Sequence, residues 1–589
     1  MAYNAYNQDE KSVEKSKTAT MIRLFGYLLK YKWRIAAVLL LMGAGTAVSL
    51  LNPLFIRTAV DRYIAAKDMN GLVRLVVIAG VLNIMMILAI KARMLIMAKT
   101  SNKVIEELRG ELFAHIQSLD LHFFDSRPSG KILARITGDV NSLKDVIENS
   151  VTTLIPDFIS VVCVTVIMFS CNPRLAAAAL FSLPPMIAGI LIISHNGGKH
   201  WKTFRKKSSN LNAFINEDLS GIKIIQSFSA EKETDATFVS LVKEHRDAFI
   251  SAVRWSDAFG SIIDLCWGMG SLALYFVGIK VLGVDNVSIG TYIAFGSYIG
   301  MFWQPIMNLS NFYNQLVTAA SGAERVFEII DTQAEVADEP DAADMPPIEG
   351  DVEFRNVTFS YEKGTKVLDD VSFRVKAGET IALVGPTGAG KSTVVNLVSR
   401  FYDPDSGQVL IDGTDIKHVR TAGLRNQMGI MTQDSYIFSG TIRDNIRYGK
   451  LDATDDEIYA AAKSVSADEF IARLENGYDT KLTARGGELS NGQRQLVAFA
   501  RTMLSMPRIL ILDEATSSID TQTELMVQAG TAAMLKGRTS FVIAHRLSTI
   551  QNADRIFVID GGGIAEAGTP AELMERRGIY YSLYMTQFL

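Results

Sequence analysis

The first 310 residues of this chain contain apolar stretches that are each long enough to cross a membrane as a helix. Crossing the hydrocarbon core takes roughly 20 predominantly apolar residues. Six stretches reach that length: 34–56, 72–97, 149–171, 174–195, 257–281 and 288–310. The chain of 589 residues is 48% hydrophobic, with a mean hydropathy of +0.17, which is high for a water-soluble protein. The sequence therefore predicts an α-helical membrane domain of six transmembrane helices over 34–325.

Two long polar segments, 98–148 and 196–256, interrupt the series of apolar stretches. Both are rich in Lys and Arg, and Lys99 and Lys199 lie at the ends of predicted membrane helices. Because basic residues concentrate on the cytoplasmic side, we place both segments, the N-terminus and everything after residue 311 in the cytoplasm. Residues 101–119 keep helical periodicity, so the membrane helices are expected to continue into the cytoplasm as long hairpins.

The N-terminal 33 residues are expected to form a cytoplasmic tail followed by an interfacial helix. Residues 1–20 are polar and charged, unlike a secretory signal. Residues 21–33 mix apolar and basic side chains, as a helix lying on the membrane surface does. They are equally compatible with the start of the first membrane helix.

Charge and cysteine content exclude several classes of function. The net charge of −4 gives no reason to expect a polyanionic partner, so nucleic acid is not predicted to bind. Cys163, Cys171 and Cys266 lie in or beside apolar stretches and have no metal-binding spacing, so neither a disulfide framework nor a cysteine metal site is expected.

A linker and a second domain follow the membrane helices. Residues 326–350 end in an acidic, proline-bearing stretch without apolar periodicity, which is typical of a domain boundary. From 351 to 589 short β-branched strands alternate with helices, for example at 351–359, 380–384 and 509–512. The pattern predicts an α/β domain with a largely parallel sheet.

The strongest chemical signal is a phosphate-binding loop after the predicted strand 380–384. The loop matches G-x-x-x-x-G-K-[ST] in full and precedes a predicted helix at 393–400. Its backbone N–H groups are expected to hold the β- and γ-phosphates of ATP, Lys391 to neutralise phosphate charge, and the Ser392 hydroxyl to bind Mg²⁺. The predicted ATP-binding residues of the loop are Gly385, Pro386, Thr387, Gly388, Ala389, Gly390, Lys391, Ser392 and Thr393.

Two carboxylates follow the apolar strand 509–512. Catalytic groups in α/β sheets lie at the carboxyl ends of strands. We therefore predict that Asp513 holds Mg²⁺, directly or through water, and that Glu514 polarises the attacking water as a general base.

Motifs in the polar segments resemble those of ATP-binding cassette (ABC) exporters. Phe123-Phe124-Asp125, Gly130 and residues 135–140 (RITGDV) are similar to the first intracellular hairpin of that family, and residues 216–223 to the tip of the second. The resemblance implies that both tips are coupling helices, which rest on the ATP-binding cassettes. In the exporter branch of this family, a membrane domain of this kind and a P-loop NTPase cassette lie on one chain.

The family also implies roles for three isolated residues of the cassette. Tyr361 corresponds to the aromatic residue that stacks on adenine. Gln433 resembles the glutamine that contacts Mg²⁺ and the attacking water, and His545 the histidine that senses the γ-phosphate. The predicted catalytic set is thus Glu514, His545 and Gln433.

Residues 489–495 (LSNGQRQ) resemble the signature motif of the same family and open a predicted helix. A helix N-terminus there is a second anion site, separate from the phosphate loop. In the family it serves the nucleotide of a partner in a head-to-tail dimer, which implies that Ser490, Gly492 and Gln493 contact the partner's ATP. A second half-transporter is therefore expected.

Two departures from the family pattern bear on that partner. Asn491 stands where the family's signature usually has glycine, and Thr483-Ala484 replaces a Gly-Glu pair found in many exporters, although Glu488 lies nearby. Residues 492–501 also look more like one half of heterodimeric bacterial exporters than like homodimeric lipid flippases. A heterodimer is favoured over a homodimer, with this chain as the half competent for hydrolysis.

These features predict ATP-driven export of a hydrophobic or amphipathic molecule, such as a drug or a lipid, by alternating access across the cytoplasmic membrane. Asp264, in the fifth stretch, either contacts substrate or packs between helices. Trp267, Met269, Met301 and Trp303 could line a cavity but more often face lipid or neighbouring helices. An ATP-gated channel or sensor subunit is the alternative; the six apolar stretches argue against a soluble ATPase, and the fused domains against an importer.

Overall fold

The computed structural model describes residues 17–283, 287–362, 364–432, 435–513, 521–543 and 550–588. Its contacts divide the chain into two units. The first consists of residues up to Ile116 together with Gly130–Thr332. The second consists of Gln117–Ser129 and Gln333–Leu589, so a short segment of the first predicted hairpin packs with the C-terminal half of the chain.

Long helices make up the first unit. They are broken by short π-helical segments at Ala59–Ile64, Arg135–Asp139, Ser150–Leu154 and Val277–Leu282. One α-helix before residue 332, α4 Leu121–Asp125, belongs to the second unit. The other described α-helices in this part of the chain are α1 Lys17–Leu29, α2 Lys32–Thr58, α3 Met69–Ser118, α5 Ser129–Ala134, α6 Val140–Asn149, α7 Ile155–Cys171, α8 Pro173–Leu180, α9 Leu183–Ser220, α10 Ile222–Ser227, α11 Glu231–Phe276, α12 Ile289–Gly300 and α13 Trp303–Asp331.

Within the described residues, five continuous helical stretches are long and apolar enough to span a membrane: Lys32–Ile64, Met69–Ser118, Ser129–Cys171, Pro173–Ser220 and Glu231–Leu282. The sixth predicted stretch, 288–310, is divided between α12 and α13. Pro305 lies three residues into α13, where its ring would clash with the carbonyl of Met301 in a continuous helix. The helix therefore breaks at 301–302.

The helices continue beyond the predicted apolar stretches, as expected. α3 extends well beyond the apolar stretch 72–97, and α9 and α11 pack along each other over the second hairpin. Each hairpin ends in a short separate helix, α4 in the first and α10 in the second. At the N-terminus α1 is a helix of its own, separated from α2 at Lys30–Tyr31.

The second unit contains strands in three sheets. The largest has the order β12-β11-β3-β10-β9-β6, and five of its six strands, β11, β3, β10, β9 and β6, run parallel as direct neighbours. The described strands are β1 Val352–Phe359, β2 Leu368–Val375, β3 Thr380–Val384, β4 Ser406–Ile411, β5 Thr414–Asp415, β6 Met428–Met431, β7 Gly440–Thr441, β8 Lys481–Leu482, β9 Ile509–Asp513, β10 Thr539–Ile543, β11 Arg555–Asp560 and β12 Gly563–Gly568.

The α-helices of this unit after α13 lie between or after those strands. They are α14 Lys391–Val398, α15 Thr421–Arg425, α16 Ile442–Arg447, α17 Asp455–Ser464, α18 Ala467–Ile471, α19 Asn491–Leu504, α20 Thr521–Leu535, α21 Pro570–Arg576 and α22 Ile579–Phe588.

The parallel strands are buried on both faces. Ile381 and Leu383 of β3 belong to one hydrophobic cluster, while Ala382 and Val384 belong to another. Because side chains alternate across a strand, a strand covered on both faces reads as a continuous apolar run, as predicted for 380–384 and 509–512. The two cores fix the sheet and thereby the loops that leave its carboxyl edge.

Candidate ATP-binding site

The predicted site residues follow neighbouring strands of the parallel sheet. The phosphate loop leaves β3, whose neighbour β10 pairs in register with β9 through Ile543 and Asp513. Beyond β9 lies β6, which ends at Met431. Adjacent strands are about 4.8 Å apart. The loop, Asp513 and the last residues of β6 and β10 therefore lie along the same edge of the sheet, within three strand spacings.

Three predicted catalytic residues, Gln433, Glu514 and His545, lie outside the described residues. Each comes one or two positions after a described strand end, at Met431, Asp513 and Ile543 respectively. Their roles stay predictions.

Glycine is required at two positions of the phosphate loop. Gly385 has φ +153°, and a Cβ atom there would lie 2.2 Å from the carbonyl oxygen of Ile559 in β11. Gly390, which precedes α14, has φ +108°, and a Cβ atom there would lie 3.0 Å from Cδ2 of Leu368. Only a residue without a side chain fits either place, so the loop stays close to the sheet and its N–H groups can converge on an anion.

Lys391 folds back over this loop. Its Nζ donates hydrogen bonds to the carbonyl oxygens of Gly385 at 2.7 Å and Pro386 at 2.8 Å. Burial lowers the pKa of Lys391, and the negative charge of Asp513 acts in the opposite direction. A phosphate group on the loop would add negative charge and favour the ammonium form further.

The two hydroxyl residues at the start of α14 differ in their exposure to solvent. Ser392 is exposed, whereas Thr393 is buried and its Oγ1 shares a hydrogen bond of 3.2 Å with the hydroxyl of Tyr361. Asn396 Nδ2 also donates to the Tyr361 hydroxyl, at 3.3 Å. The tyrosine expected to stack on adenine is thus attached to the helix that follows the phosphate loop.

Sequence reasoning missed two residues just beyond α14. Arg400 is 1% exposed and has φ +51°; its guanidinium donates to the carbonyl oxygen of Val419 at 2.5 Å and to Asp403 at 3.3 Å. Tyr402 is buried with its ring edge-on to that of Tyr361, at a centroid distance of 5.1 Å. The only signal in the sequence is that an arginine and two aromatic residues (RFY) begin two positions after the end of α14.

The signature-like segment caps a helix, as predicted. Ser490 is the N-cap of α19: its Oγ accepts from the backbone N–H of Gln493 at 3.3 Å, and the Gln493 side chain accepts from the Ser490 N–H at 3.0 Å. Gly492 is buried in the first turn. The reciprocal bonds fix the helix start and leave the Ser490 hydroxyl proton free to donate elsewhere.

The two departures from the family pattern have local partners. The side-chain oxygen of Asn491 accepts a hydrogen bond from Arg494 Nη2, and Arg494 Nη1 donates to the carbonyl oxygen of Arg485 at 3.2 Å. Glu488 accepts from the backbone N–H of Thr483 at 3.1 and 3.2 Å. A hydrogen bond with the Thr483 side chain is the main cause that holds the pKa of the Glu488 carboxyl below its ordinary value. Glu488 therefore orders the loop in which Thr483-Ala484 replaces the family's Gly-Glu pair.

Comparisons with known proteins identify the family of this chain. Residues 25–306 match the family described as ABC transporter transmembrane region, and residues 368–517 match the ABC transporter family. YknV of Bacillus subtilis (strain 168), an uncharacterised ABC transporter ATP-binding protein, is 40% identical over 99% of this chain and 97% of its own length.

Two further proteins extend the likeness. The ATP-dependent lipid A-core flippase of Syntrophus aciditrophicus (strain SB) is 36% identical over 84% of this chain and 82% of the flippase. A solved bacterial Atm1-family ABC exporter with ATP bound superimposes with a TM-score of 0.77 at 31% identity, covering 95% of this chain and 98% of the exporter. The chain therefore belongs to the ABC exporters, multi-pass membrane proteins in which a cytoplasmic ATPase cassette drives transport.

Proposed function

We propose that this exporter moves a hydrophobic or amphipathic molecule, such as a drug or a lipid, across the cytoplasmic membrane. The observation that carries the proposal is a phosphate loop at the carboxyl edge of a parallel sheet, on the same chain as helices long enough to span a bilayer. A relative that shares 36% of its residues is named for flipping lipid A-core, which favours a lipid-like cargo.

A cavity in the first unit supports an amphipathic cargo. It has a volume of about 710 Å³, within the usual range of ligand sites. Its walls come from α9, α11 and α13 and include Trp201, Trp255 and Phe259, with Arg205 beside them. Asp264, Trp267, Met269 and Met301 are not among its described lining residues, and the Trp303 side chain is not described.

The membrane domain of this proposal keeps six spans over 34–325, followed by a linker to 350 and the cassette over 351–589. The sixth span consists of α12 and the start of α13, joined through the turn at 301–302. The second half of the linker packs within the second unit, where Met345 and Ile348 are buried in a core cluster.

Function in this proposal requires a second half-transporter. The tip of the second hairpin carries exposed apolar side chains, Leu219, Ile224 and Phe228, the last of them 80% exposed. Leaving such side chains in water is unfavourable, and a partner cassette is the surface that would cover them. The signature segment, with Ser490, Gly492 and Gln493, would bind the partner's ATP. Asn491 and the Thr483-Ala484 pair favour a heterodimer.

Within each ATP site, Tyr361 and the loop residues Gly385 to Thr393 would bind the nucleotide. The hydroxyl of Ser392 and the carboxylate of Asp513 are hard oxygen donors of the kind Mg²⁺ prefers, and Gln433 would add a third ligand. Bound Mg²⁺ would neutralise charge on the phosphates. Glu514 would polarise the attacking water, and His545 would sense the γ-phosphate.

Transport then follows from alternating access. Two ATP molecules close the cassette dimer, the hairpin tips move with it, and the cavity changes from facing the cytoplasm to facing outward. Hydrolysis resets the dimer. This cycle requires ATP to bind the closed state more tightly than the open one.

The test is ATP turnover and transport by the full chain, purified with whatever partner accompanies it. Glu514→Gln should abolish most turnover while ATP still binds, whereas Lys391→Ala should weaken binding itself. Turnover near the wild-type rate in the Glu514→Gln complex would show that another residue is the base. Hydrolysis without accumulation of a fluorescent lipid or dye in vesicles would favour the channel or sensor alternative. Mass spectrometry of the purified complex distinguishes a heterodimer from a homodimer.

A further inference from the structure

The segment of the first hairpin that packs with the second unit is held there by two carboxylates. Asp120 is the N-cap of α4: its Oδ1 accepts from the Phe123 N–H at 3.1 Å, and its Oδ2 accepts from the backbone N–H groups of Glu335 and Val336. At the other end of α4, Asp125 Oδ2 accepts a hydrogen bond of 2.5 Å from the hydroxyl of Tyr402.

The Tyr402 side chain lies between this helix and the nucleotide site. Its ring is edge-on to Phe359 at 5.5 Å and to His122 of α4 at 6.4 Å, in addition to Tyr361. Burial and the bond to Asp125 raise the pKa of Tyr402 well above its ordinary value, so the hydroxyl keeps its proton and donates throughout the physiological range.

Tyr402 is also held firmly in place. It comes four residues after α14, and Arg400 fixes the turn between them through bonds to Val419 and Asp403. A side chain with a fixed backbone, a buried ring and one directional hydrogen bond has few alternative positions. Because closely packed interiors transmit displacement, a movement of the Tyr361 ring also displaces the Tyr402 ring that packs against it.

We propose that Tyr402 is a positioning residue that links occupancy of the adenine side of the ATP site to α4, through its packing on Tyr361 and its hydrogen bond to Asp125. The inference rests on the proposed role of Tyr361. It is more specific than the expectation that hairpin tips rest on cassettes, since it names one residue pair as the connection. A base stacked on Tyr361 restricts that ring, Tyr402 is held with it, and α4 becomes more ordered.

Hydrogen–deuterium exchange of the peptide over 117–129 tests this proposal in the full-length complex. The probe is Mg²⁺ with a non-hydrolysable ATP analogue at saturating concentration. In the wild type the analogue should slow exchange in this peptide by about tenfold, on the scale of a hydrogen bond to a charged group. Tyr402→Phe keeps the ring but removes the donor, and it should lose that response while its affinity for the analogue changes less than about threefold.

A matched control exists in the same unit. Tyr478 donates a hydrogen bond of 2.7 Å to Asp468, away from the nucleotide site, so Tyr478→Phe removes a similar bond and should keep the response. The exposed Asp125 offers a second variant that does not depend on a buried residue. Asp125→Asn retains an acceptor and should keep much of the response, whereas Asp125→Ala should lose it.

The outcomes separate this inference from the proposed function. A response in Tyr402→Phe or Asp125→Ala equal to that of Tyr478→Phe would overturn the link, as would a wild-type peptide that does not respond to the analogue. These measurements need nucleotide binding only. A complex that responds as expected but moves no cargo contradicts the export proposal and leaves the link standing.

Discussion

Two glycines of the phosphate loop allow steric crowding to be separated from backbone strain. Gly385 and Gly388 both have positive φ, +153° and +84°. A Cβ atom on Gly385 would meet the backbone of β11 at Ile559, whereas a Cβ atom on Gly388 would meet nothing within 4 Å. Gly388→Ala therefore introduces strain alone, and Gly385→Ala introduces strain together with a steric clash, because its Cβ would lie only 2.2 Å from the carbonyl oxygen of Ile559.

The expected magnitudes follow from that difference. An L-residue in left-handed backbone costs roughly 1–2 kcal/mol, so Gly388→Ala should weaken ATP binding by about tenfold. At Gly385 the overlapping atom belongs to a strand paired with β3, so it cannot move without disturbing that pairing. Such overpacking costs roughly 1–3 kcal/mol more, so Gly385→Ala should weaken binding by at least about a hundredfold. The strain reduces affinity because, without nucleotide, the phosphate loop of each variant relaxes to an unstrained conformation. Binding of ATP must then restore the strained one.

Titration of the purified chain with a fluorescent ATP analogue measures both affinities, and circular dichroism checks that both variants are folded. Affinity of Gly385→Ala within about threefold of the wild type would refute the steric argument. So would equal losses in the two variants, since the overlap would then add nothing to the strain.

Two further perturbations test the surroundings of the site. Arg400→Ala leaves the carboxylate of Asp403 without its cation and should lower the stability of the cassette by about 3 kcal/mol, a drop of roughly 6–12 °C in the melting temperature; a shift of under about 2 °C would contradict a structural role for this buried arginine. Glu339 raises the pKa of His418, so their ion pair stabilises the fold below pH 6.5 and the contribution is lost as the pH rises through the raised pKa. His418→Gln should therefore lower the melting temperature near pH 6 and leave it unchanged near pH 9. An equal effect at both pH values would show that the charge of His418 does not contribute to stability.

The ends of the parallel strands were predictable because their apolar runs are short and uninterrupted. Residues 380–384 and 509–512 could be placed as buried strands, and the structure confirms both. The order in which strands pair was not predictable, since β10 separates β3 and β9 in the sheet but follows both in sequence. That order depends on packing between segments more than a hundred residues apart, which no local pattern records.

The environment of Tyr402 and the break in the sixth apolar stretch were also not predicted from the sequence. Whether an aromatic residue is buried, and which carboxylate its hydroxyl meets, depends on tertiary contacts; Asp125 is 277 positions away from Tyr402 in the chain. The break before Trp303 has a local cause, Pro305, but the average apolarity of a 20-residue window conceals a single proline. The environment of Tyr402 thus depends on residues distant in sequence, whereas the break depends on a residue that is close to it in sequence.

Asn491 carries less weight for the choice of partner than its sequence position suggests. Its side chain is held by Arg494 on its own helix, and the proton of the Ser490 hydroxyl remains free to donate to a phosphate oxygen. In the proposed role of this segment, asparagine at this position leaves that donor available. Asn491→Gly should then change steady-state ATP turnover by less than about fivefold, because only one exposed hydrogen bond is lost. An increase well beyond that would mean that the asparagine obstructs the partner's nucleotide, and the case for a specialised, non-identical partner would become stronger. With a small change, that case depends mainly on Thr483-Ala484, where the loop held by Glu488 lacks the family's acid.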